Sequence, residues 1–231
     1  MNAPTRDLPG LDVQDVTVTF GVPRAEGTRG RDSSNQQLVL DHVSLSVRSG
    51  EVVALLGPSG SGKSTLLRVI AGIIVADSGR VLVHGVDVTQ RAIHLRGVGM
   101  VFQDNQLFPH MSVLDNVAFG PKMAGIERSE RSERALTWLR RVGLEGFEHR
   151  RVTDLSGGEA KRVALARTLA GEPAVVLLDE PLTGLDRDLH DRLAGELGAL
   201  LHDANVTTLL VTHDHDEAAA IADRTAQLTD L

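Results

Sequence analysis

The sequence contains no cysteine. Disulfide staples and thiolate chemistry are thereby excluded, and the composition fits a reducing compartment such as the cytosol. It also lacks long apolar runs. Its strongly apolar stretches are as short as Val52 to Leu56, far below the roughly 18 to 20 residues that a membrane-crossing helix needs. Any membrane role must therefore come through partners. Met1 to Gly10 has no basic segment followed by an apolar one, so no export signal is expected. A basic surplus is missing too. The formal net charge of -7 argues against nucleic acid as the main partner, because phosphate-tracking surfaces are usually basic.

What is present is an ordinary globular composition. With 42% hydrophobic and 24% charged residues over 231 positions, the chain can bury a substantial core as one domain, with or without an inserted lobe. Val16, Val18 and Phe20 alternate with threonines, and Val43, Leu45 and Val47 alternate with Ser44, Ser46 and Arg48. This period suits half-exposed strands in an antiparallel edge. Between them, Gly21 to Gln37 reads as a loop whose Arg24, Arg29 and Arg31 could approach a phosphate or base, although a solvated hairpin tip explains them as well. Val52 to Leu56, Val175 to Leu178 and Thr208 to Val211 are instead almost continuously apolar, as strands covered on both faces are. Each is followed by helix-compatible sequence, which predicts an α/β core with a mostly parallel sheet and ligands at the strands' carboxyl ends. The middle, 104–159, reads as an inserted helical lobe between core segments 1–103 and 160–231. Within it, Ser112 and Asp115 suggest a capping box, and Glu127 with Arg131 and Glu130 with Arg134 fall at helical i,i+4 spacing.

Two motifs carry chemistry. Gly57-Pro58-Ser59-Gly60-Ser61-Gly62-Lys63-Ser64 is a complete P-loop between an apolar strand and a helix opening with Thr65. Glycines let backbone N–H groups turn inward around phosphates, the helix start carries partial positive charge, Lys63 adds a full one, and Ser64 can place its hydroxyl on magnesium. Downstream, Asp179 and Glu180 follow the second apolar run. Asp179 suits a magnesium contact, and Glu180 can polarise an attacking water. Small-molecule kinases, GTPases and helicases share these two features, so a nucleoside triphosphate and Mg2+ are implied but the task is not.

Leu155-Ser156-Gly157-Gly158-Glu159 narrows it. Ser156, Gly157 and Gly158 form a second anion-binding helix start in a chain that already has one phosphate cradle. Over nearly its whole length the sequence now resembles the nucleotide-binding domain of ATP-binding-cassette transporters, whose signature motif this segment matches. The resemblance implies an ATP hydrolase in which the signature of one subunit closes over ATP held by the P-loop of another, in a head-to-tail dimer. It further implies that Phe20 stacks on adenine, that Gln103 senses magnesium and contacts the partner-facing lobe, that Asp186 lies in a loop crossing the dimer seam, and that His213 contacts the γ-phosphate. The family often has Gln where this chain has Glu159 and a Gln-rich pair at Ala160-Lys161, and commonly Tyr or Trp at Phe20. The acidic run after His213 could suggest a metal site but more simply stabilises the start of the next helix.

Gln103 to Val113 resembles the importer branch, whose ATPases serve iron, thiamine, sulfate, molybdate or polyamines. The partners so implied are a second ATPase subunit, membrane permease subunits and an extracytoplasmic solute-binding protein, with this chain at the cytoplasmic face of the membrane. The short length past His213 leads to an expectation of no C-terminal regulatory domain. Alternatives sharing the nucleotide motifs are the ATPases of lipoprotein-export or cell-division complexes, and more distantly a P-loop metabolic kinase or a non-transport cassette ATPase.

Overall fold

The computed structural model describes residues 8–21 and 36–231. Residues 22–35, with Arg24, Arg29 and Arg31, lie outside the described residues. The ends of that segment are already strand: β1 (Leu11–Gly21) pairs antiparallel with β2 (Gln36–Val47), with Phe20 opposite Gln37. With β4 (Ser78–Val83) and the two-residue β5 (Val86–Asp87), they form an antiparallel sheet in the order β2-β1-β4-β5. The alternation expected along β1 fails at its end. β4 accompanies β1 only as far as Thr17 opposite Ser78, and the β1–β2 register shifts between Val18 and Thr19, so Phe20 projects beyond the covered part of the sheet with 41% of its surface exposed.

The second sheet is parallel, in the order β6 (Val98–Val101), β7 (Val175–Asp179), β8 (Thr207–Val211), β3 (Val52–Leu56) and β9 (Arg224–Gln227). Its three central strands are the three continuous apolar runs. Side chains alternate across a strand, so Val53 and Leu55 enter one apolar cluster while Val52, Ala54 and Leu56 enter another. Both faces are covered, which is why no polar alternation appears. α1 (Lys63–Ala71) puts Leu66, Leu67 and Ile70 between the two sheets. Its last turn is held by buried Arg96, whose guanidinium donates to the carbonyls of Val69 and Ile70, a cation placed at the negative end of the helix.

Helices cover the opposite face of the parallel sheet: α5 (Gly157–Ala170), α6 (Arg187–Ala204) and α7 (His215–Ile221). The middle segment supplies α2 (Val113–Val117), α3 (Phe119–Met123) and α4 (Arg128–Arg141), which with Val163, Ala166 and Ala170 of α5 enclose a third apolar cluster around Leu139 and Leu144. α5 gives Ala164, Leu165 and Leu169 to the core cluster and Val163, Ala166 and Ala170 to this one. A helix apolar on both sides is one buried between two bodies, so α5 joins the helical segment to the sheet. Ser112 caps α2 by accepting from the Asp115 backbone N–H, but the reciprocal bond runs from the Ser112 hydroxyl to the Asp115 carboxylate. Of the two anticipated i,i+4 pairs only Glu130 with Arg134 is made, at 2.9 Å. Glu127 turns instead to Ser129, and Arg131 to the carbonyl of Ile126.

Candidate functional site

Three parallel strands deliver the motifs to one edge. β7 lies beside β8 with Asp179 opposite Val211, and β8 lies beside β3 with Val211 opposite Leu55. The residues that follow these strands, Glu180, His213 and the Gly57 loop, therefore leave the sheet side by side.

Gly57 to Gly62 connects β3 to α1. Gly62 has φ 102°, and a Cβ there would stand 2.8 Å from the carbonyl oxygen of Val39 on β2. Only glycine permits both the left-handed turn and the close approach. No side chain caps α1, so the N–H groups of its first turn are left for a ligand. Lys63 is only 5% exposed, and its ammonium donates to the loop carbonyls of Gly57 (2.6 Å) and Pro58 (2.8 Å). The Ser61 hydroxyl is buried with no hydrogen-bond partner. A cation, a bare helix start and an orphaned hydroxyl around one concave loop fit a phosphate group. Ser59, Gly60 and Thr65 complete the run from loop to helix.

Beneath the loop, Ser64 Oγ donates to Asp179 Oδ1 at 2.8 Å. Burial pushes the Asp179 carboxyl above its ordinary value, against the pull of Ser64, Arg68 and Lys63. A buried carboxylate in this state gains from an added cation, and a hydroxyl beside a carboxylate is a hard oxygen pair of the kind magnesium takes. The residues present fit that ion. Gln103, anticipated as a third contributor, lies two residues past the end of β6 and is exposed. Its side chain makes no hydrogen bond among the described residues.

Glu180 turns sharply out of β7 with φ 46°, a conformation uncommon outside glycine, while its N–H is held by the Val211 carbonyl at 2.9 Å. Its carboxylate receives the Thr183 hydroxyl at 3.1 Å and approaches His213 Nδ1 to 3.4 Å. The structure thus brings together two residues that lie 33 positions apart in sequence. Thr183 as a partner of Glu180 was not anticipated. Its position three residues on, across a turn, is the only hint in the sequence. Also missed was the support beneath His213: Thr212 donates to Glu217 Oε2 at 2.6 Å, Glu217 is buried, and His190 of α6 approaches the same oxygen to 3.7 Å. Burial raises the Glu217 carboxyl above its usual range, and the Thr212 hydroxyl works against that. Asp214 caps α7 by accepting from the N–H groups of Asp216 and Glu217, which accounts for the acidic run after His213 without a metal.

Ser156, Gly157 and Gly158 begin α5. Ser156 accepts from the Glu159 N–H at 3.3 Å, and Glu159 accepts from the Ser156 N–H at 2.7 Å, a full capping box. That backbone bond holds the Glu159 carboxyl below its ordinary value, so it is ionised at neutral pH. The N–H groups of Gly157 and Gly158 lie within the first turn, where no helical carbonyl reaches them. Asp186 caps α6, accepting from Leu189 N–H at 3.0 Å. Phe20 sits at the projecting end of β1, whose partner β2 supplies the Val39 carbonyl beside Gly62. In the single chain no hydrogen bond or ion pair joins the Ser156 helix start, Asp186 or Phe20 to the P-loop among the described residues. No described helix is long and apolar enough to cross a membrane.

The model of the family described as "ABC transporter" matches residues 40–183. The chain is 52% identical over 220 residues to the Fe(3+) ions import ATP-binding protein FbpC of Streptomyces coelicolor, covering 95% of this chain and 59% of that one. It is 49% identical over 199 residues to the sulfate/thiosulfate import ATP-binding protein CysA of Nocardia farcinica, covering 86% and 60%. The chain thus spans about three fifths of the length of these curated relatives. Among solved structures it is similar to cbiO1 of Clostridium perfringens, part of an ABC transporter complex, at TM-score 0.79 and 31% identity over 95% of this chain and 84% of that one. It is also similar to the dimeric bacterial ABC transporter cassette MJ0796, at TM-score 0.78 and 30% identity over 94% and 93%.

Proposed function

Because this chain belongs to the ABC transporter family of ATP-binding cassettes, we propose that it hydrolyses ATP as the motor subunit of a small-solute importer. One observation carries the reading. The P-loop, with Lys63 buried under it and the Ser64–Asp179 pair below, leaves the sheet beside Glu180 and His213. A triphosphate seated on the α1 helix start would have its terminal phosphate directed to the place where the Glu180 carboxylate meets the His213 imidazole.

Lys63 then exchanges its loop carbonyls for phosphate oxygens, so that its ammonium meets ionised acceptors in place of two neutral ones. Ser61 finds the partner it lacks. Ser64 and Asp179, with Gln103, would hold Mg2+, which when bound neutralises charge on the β- and γ-phosphates. Glu180, fixed by Thr183 and by its backbone bond to β8, orients the attacking water as general base. His213 keeps its exposed ring at the γ-phosphate. Phe20 stacks on adenine with a phenyl face and no polar edge.

The second half of the site is proposed to come from another subunit. Ser156, Gly157 and Gly158 present a hydroxyl and two N–H groups where the chain itself holds no nucleotide, and Asp186 lies between the two halves. ATP then stabilises the closed dimer and hydrolysis releases it, moving permease helices attached to the lobe of residues 104–159. The iron and sulfate import relatives favour import, with a solute-binding protein outside and this subunit on the cytoplasmic face. Glu180→Gln tests the core of this proposal. Steady-state ATP hydrolysis should fall by about 100-fold to 10,000-fold, the range attributed to general-base catalysis, while ATP binding persists and the chain migrates as a dimer with ATP. Wild-type turnover by that variant removes Glu180 from the mechanism.

A further inference from the structure

A cavity of about 410 Å³ lies between the carboxyl end of α4, α5 and α6. No P-loop residue lines it. Its floor is aliphatic, built from Leu165, Leu178, Leu182, Leu193 and Leu197, and its rim carries Arg140, Arg141, Lys161 and Arg162. This size and an apolar floor beneath a charged rim suit a small molecule with one apolar and one charged end.

The cations are unspent. Among the described residues none of the four lies within 4.0 Å of a carboxylate, although five arginine-to-carboxylate contacts of that kind are made elsewhere, including Arg134 with Glu172 and Arg224 with Glu51. Arg140 donates only to the Thr137 hydroxyl, and Arg141 lies over the Trp138 ring at 4.7 Å. Arg162 Nε is buried without a hydrogen-bond partner. Burial lowers the Lys161 ammonium below its ordinary value, with the Glu217 carboxylate opposing. Two carboxylates, Glu196 and Asp203, also line the cavity, and Glu196 faces Arg192 at 3.7 Å. A polyanion would meet both acids and finds no glycine-rich cradle here. A single negative charge on an apolar body satisfies the cations and the leucines together.

We propose that this cavity binds a small amphipathic monoanion, an alkyl chain ending in one carboxylate, and that its occupancy restrains the helical segment against the sheet. The walls explain the restraint. Val142 belongs to the third apolar cluster, Leu193 and Leu197 belong to the core cluster, and Pro181 and Leu182 come directly after Glu180. An occupant fixes the spacing among all three. The binding half is independent of the proposed ATPase activity, whereas the restraint half rests on it.

Decanoate, below its micelle-forming concentration, is the probe, and Trp138, the sole tryptophan, is the reporter because it stacks under Arg141. Titration into the nucleotide-free chain should change Trp138 fluorescence saturably, with calorimetry giving one site per chain. Decanol should bind about tenfold more weakly, as should decanoate to Arg140→Gln/Lys161→Gln, since a charge-assisted contact is lost. Ala199→Phe, from an exposed position on α6 facing the cavity, should abolish binding and leave basal hydrolysis unchanged. Decanoate should slow hydrolysis by the wild type and not by Ala199→Phe. Non-saturable binding, equal affinity for decanol, undiminished binding to a folded Ala199→Phe chain, or binding only to phosphatidylglycerol vesicles would each overturn the site. Saturable binding with unaltered hydrolysis overturns the restraint alone, and a chain with no hydrolysis in any state counts against the ATPase reading instead.

Discussion

The two glycine-bearing helix starts of this protein are built in opposite ways. α1 begins after Gly62 with no capping side chain and with a buried lysine folded over its loop, whereas α5 begins at Ser156 with both arms of a capping box closed. An open start leaves its N–H groups for a ligand and needs no second protein surface to attract phosphate. A closed start is already satisfied in part, and ionised Glu159 beside it repels an anion. It can add to a site that another surface has already loaded but is a poor first binder. The difference between the two ends fits the order in the proposed mechanism, in which nucleotide enters at α1 and α5 of a second chain arrives afterwards.

The largest expected effect breaks the open site from below. Asp179→Asn keeps an oxygen for the Ser64 hydroxyl and removes the charge that would hold magnesium. ATP hydrolysis should fall by at least about 100-fold, the scale of losing one electrostatic stabiliser of the reacting phosphate. Stability should move the other way. An acid whose folded pKa is raised stabilises the fold fully below its unfolded value of 3.8 and loses that contribution as pH rises through the folded value. At pH 7 the ionised Asp179 therefore costs stability that asparagine does not. The nucleotide-free variant should melt above the wild type at pH 7, with the gap shrinking toward pH 4 in thermal scans, and a lower melting temperature at pH 7 would contradict the burial argument.

A smaller effect separates the two starts. Ser156→Ala removes the cap, costing about 1 kcal/mol of stability, and should leave ATP binding to the single chain intact while hydrolysis drops about tenfold. Mixing it with Lys63→Ala makes the comparison decisive. If α5 acts on its neighbour's nucleotide, a mixed pair contains one undamaged site and one doubly damaged site, and random pairing restores up to about a quarter of the wild-type rate. If α5 acts within its own chain, no mixed site is intact and mixing restores nothing.

How much of this was legible in the sequence differs between the same two regions. Gly57 to Ser64 could be read outright, because a contiguous motif between a buried strand and a helix carries its own geometry, and the three central strands announced themselves by continuous apolar runs. β6 and β9 did not. Val98 to Val101 contains a glycine and Arg224 to Gln227 is polar at a sheet edge, so neither has the pattern of a buried strand. Non-local contacts were invisible for a different reason. The meeting of Glu180 with His213 depends on β7 and β8 being neighbours, and Arg96 under α1 or Glu217 under Thr212 depends on which helix packs where. Around Ser156 the motif was legible, but its closure by Glu159 appeared in the sequence only as a departure from a family pattern.

That departure gives the smallest and most discriminating prediction. Glu159→Gln preserves the reach of the side chain to the Ser156 N–H and removes its charge. The carboxylate's lowered pKa means that it stabilises the fold above its unfolded value of 4.5 and loses that contribution as pH falls through the folded value. The variant should therefore melt slightly below the wild type at pH 7 and match it under strongly acidic conditions. The group is almost fully solvated, so the change is small. Its effect on the second site has the opposite sign. With the repelling charge gone, ATP-dependent dimerisation of a Glu180→Gln background should tighten by a few fold, and the gain should fade as salt screens the pair. A weaker dimer at low salt would mean that Glu159 aids the closing of α5 over phosphate, and the order of assembly inferred from the two helix starts would have to be reversed.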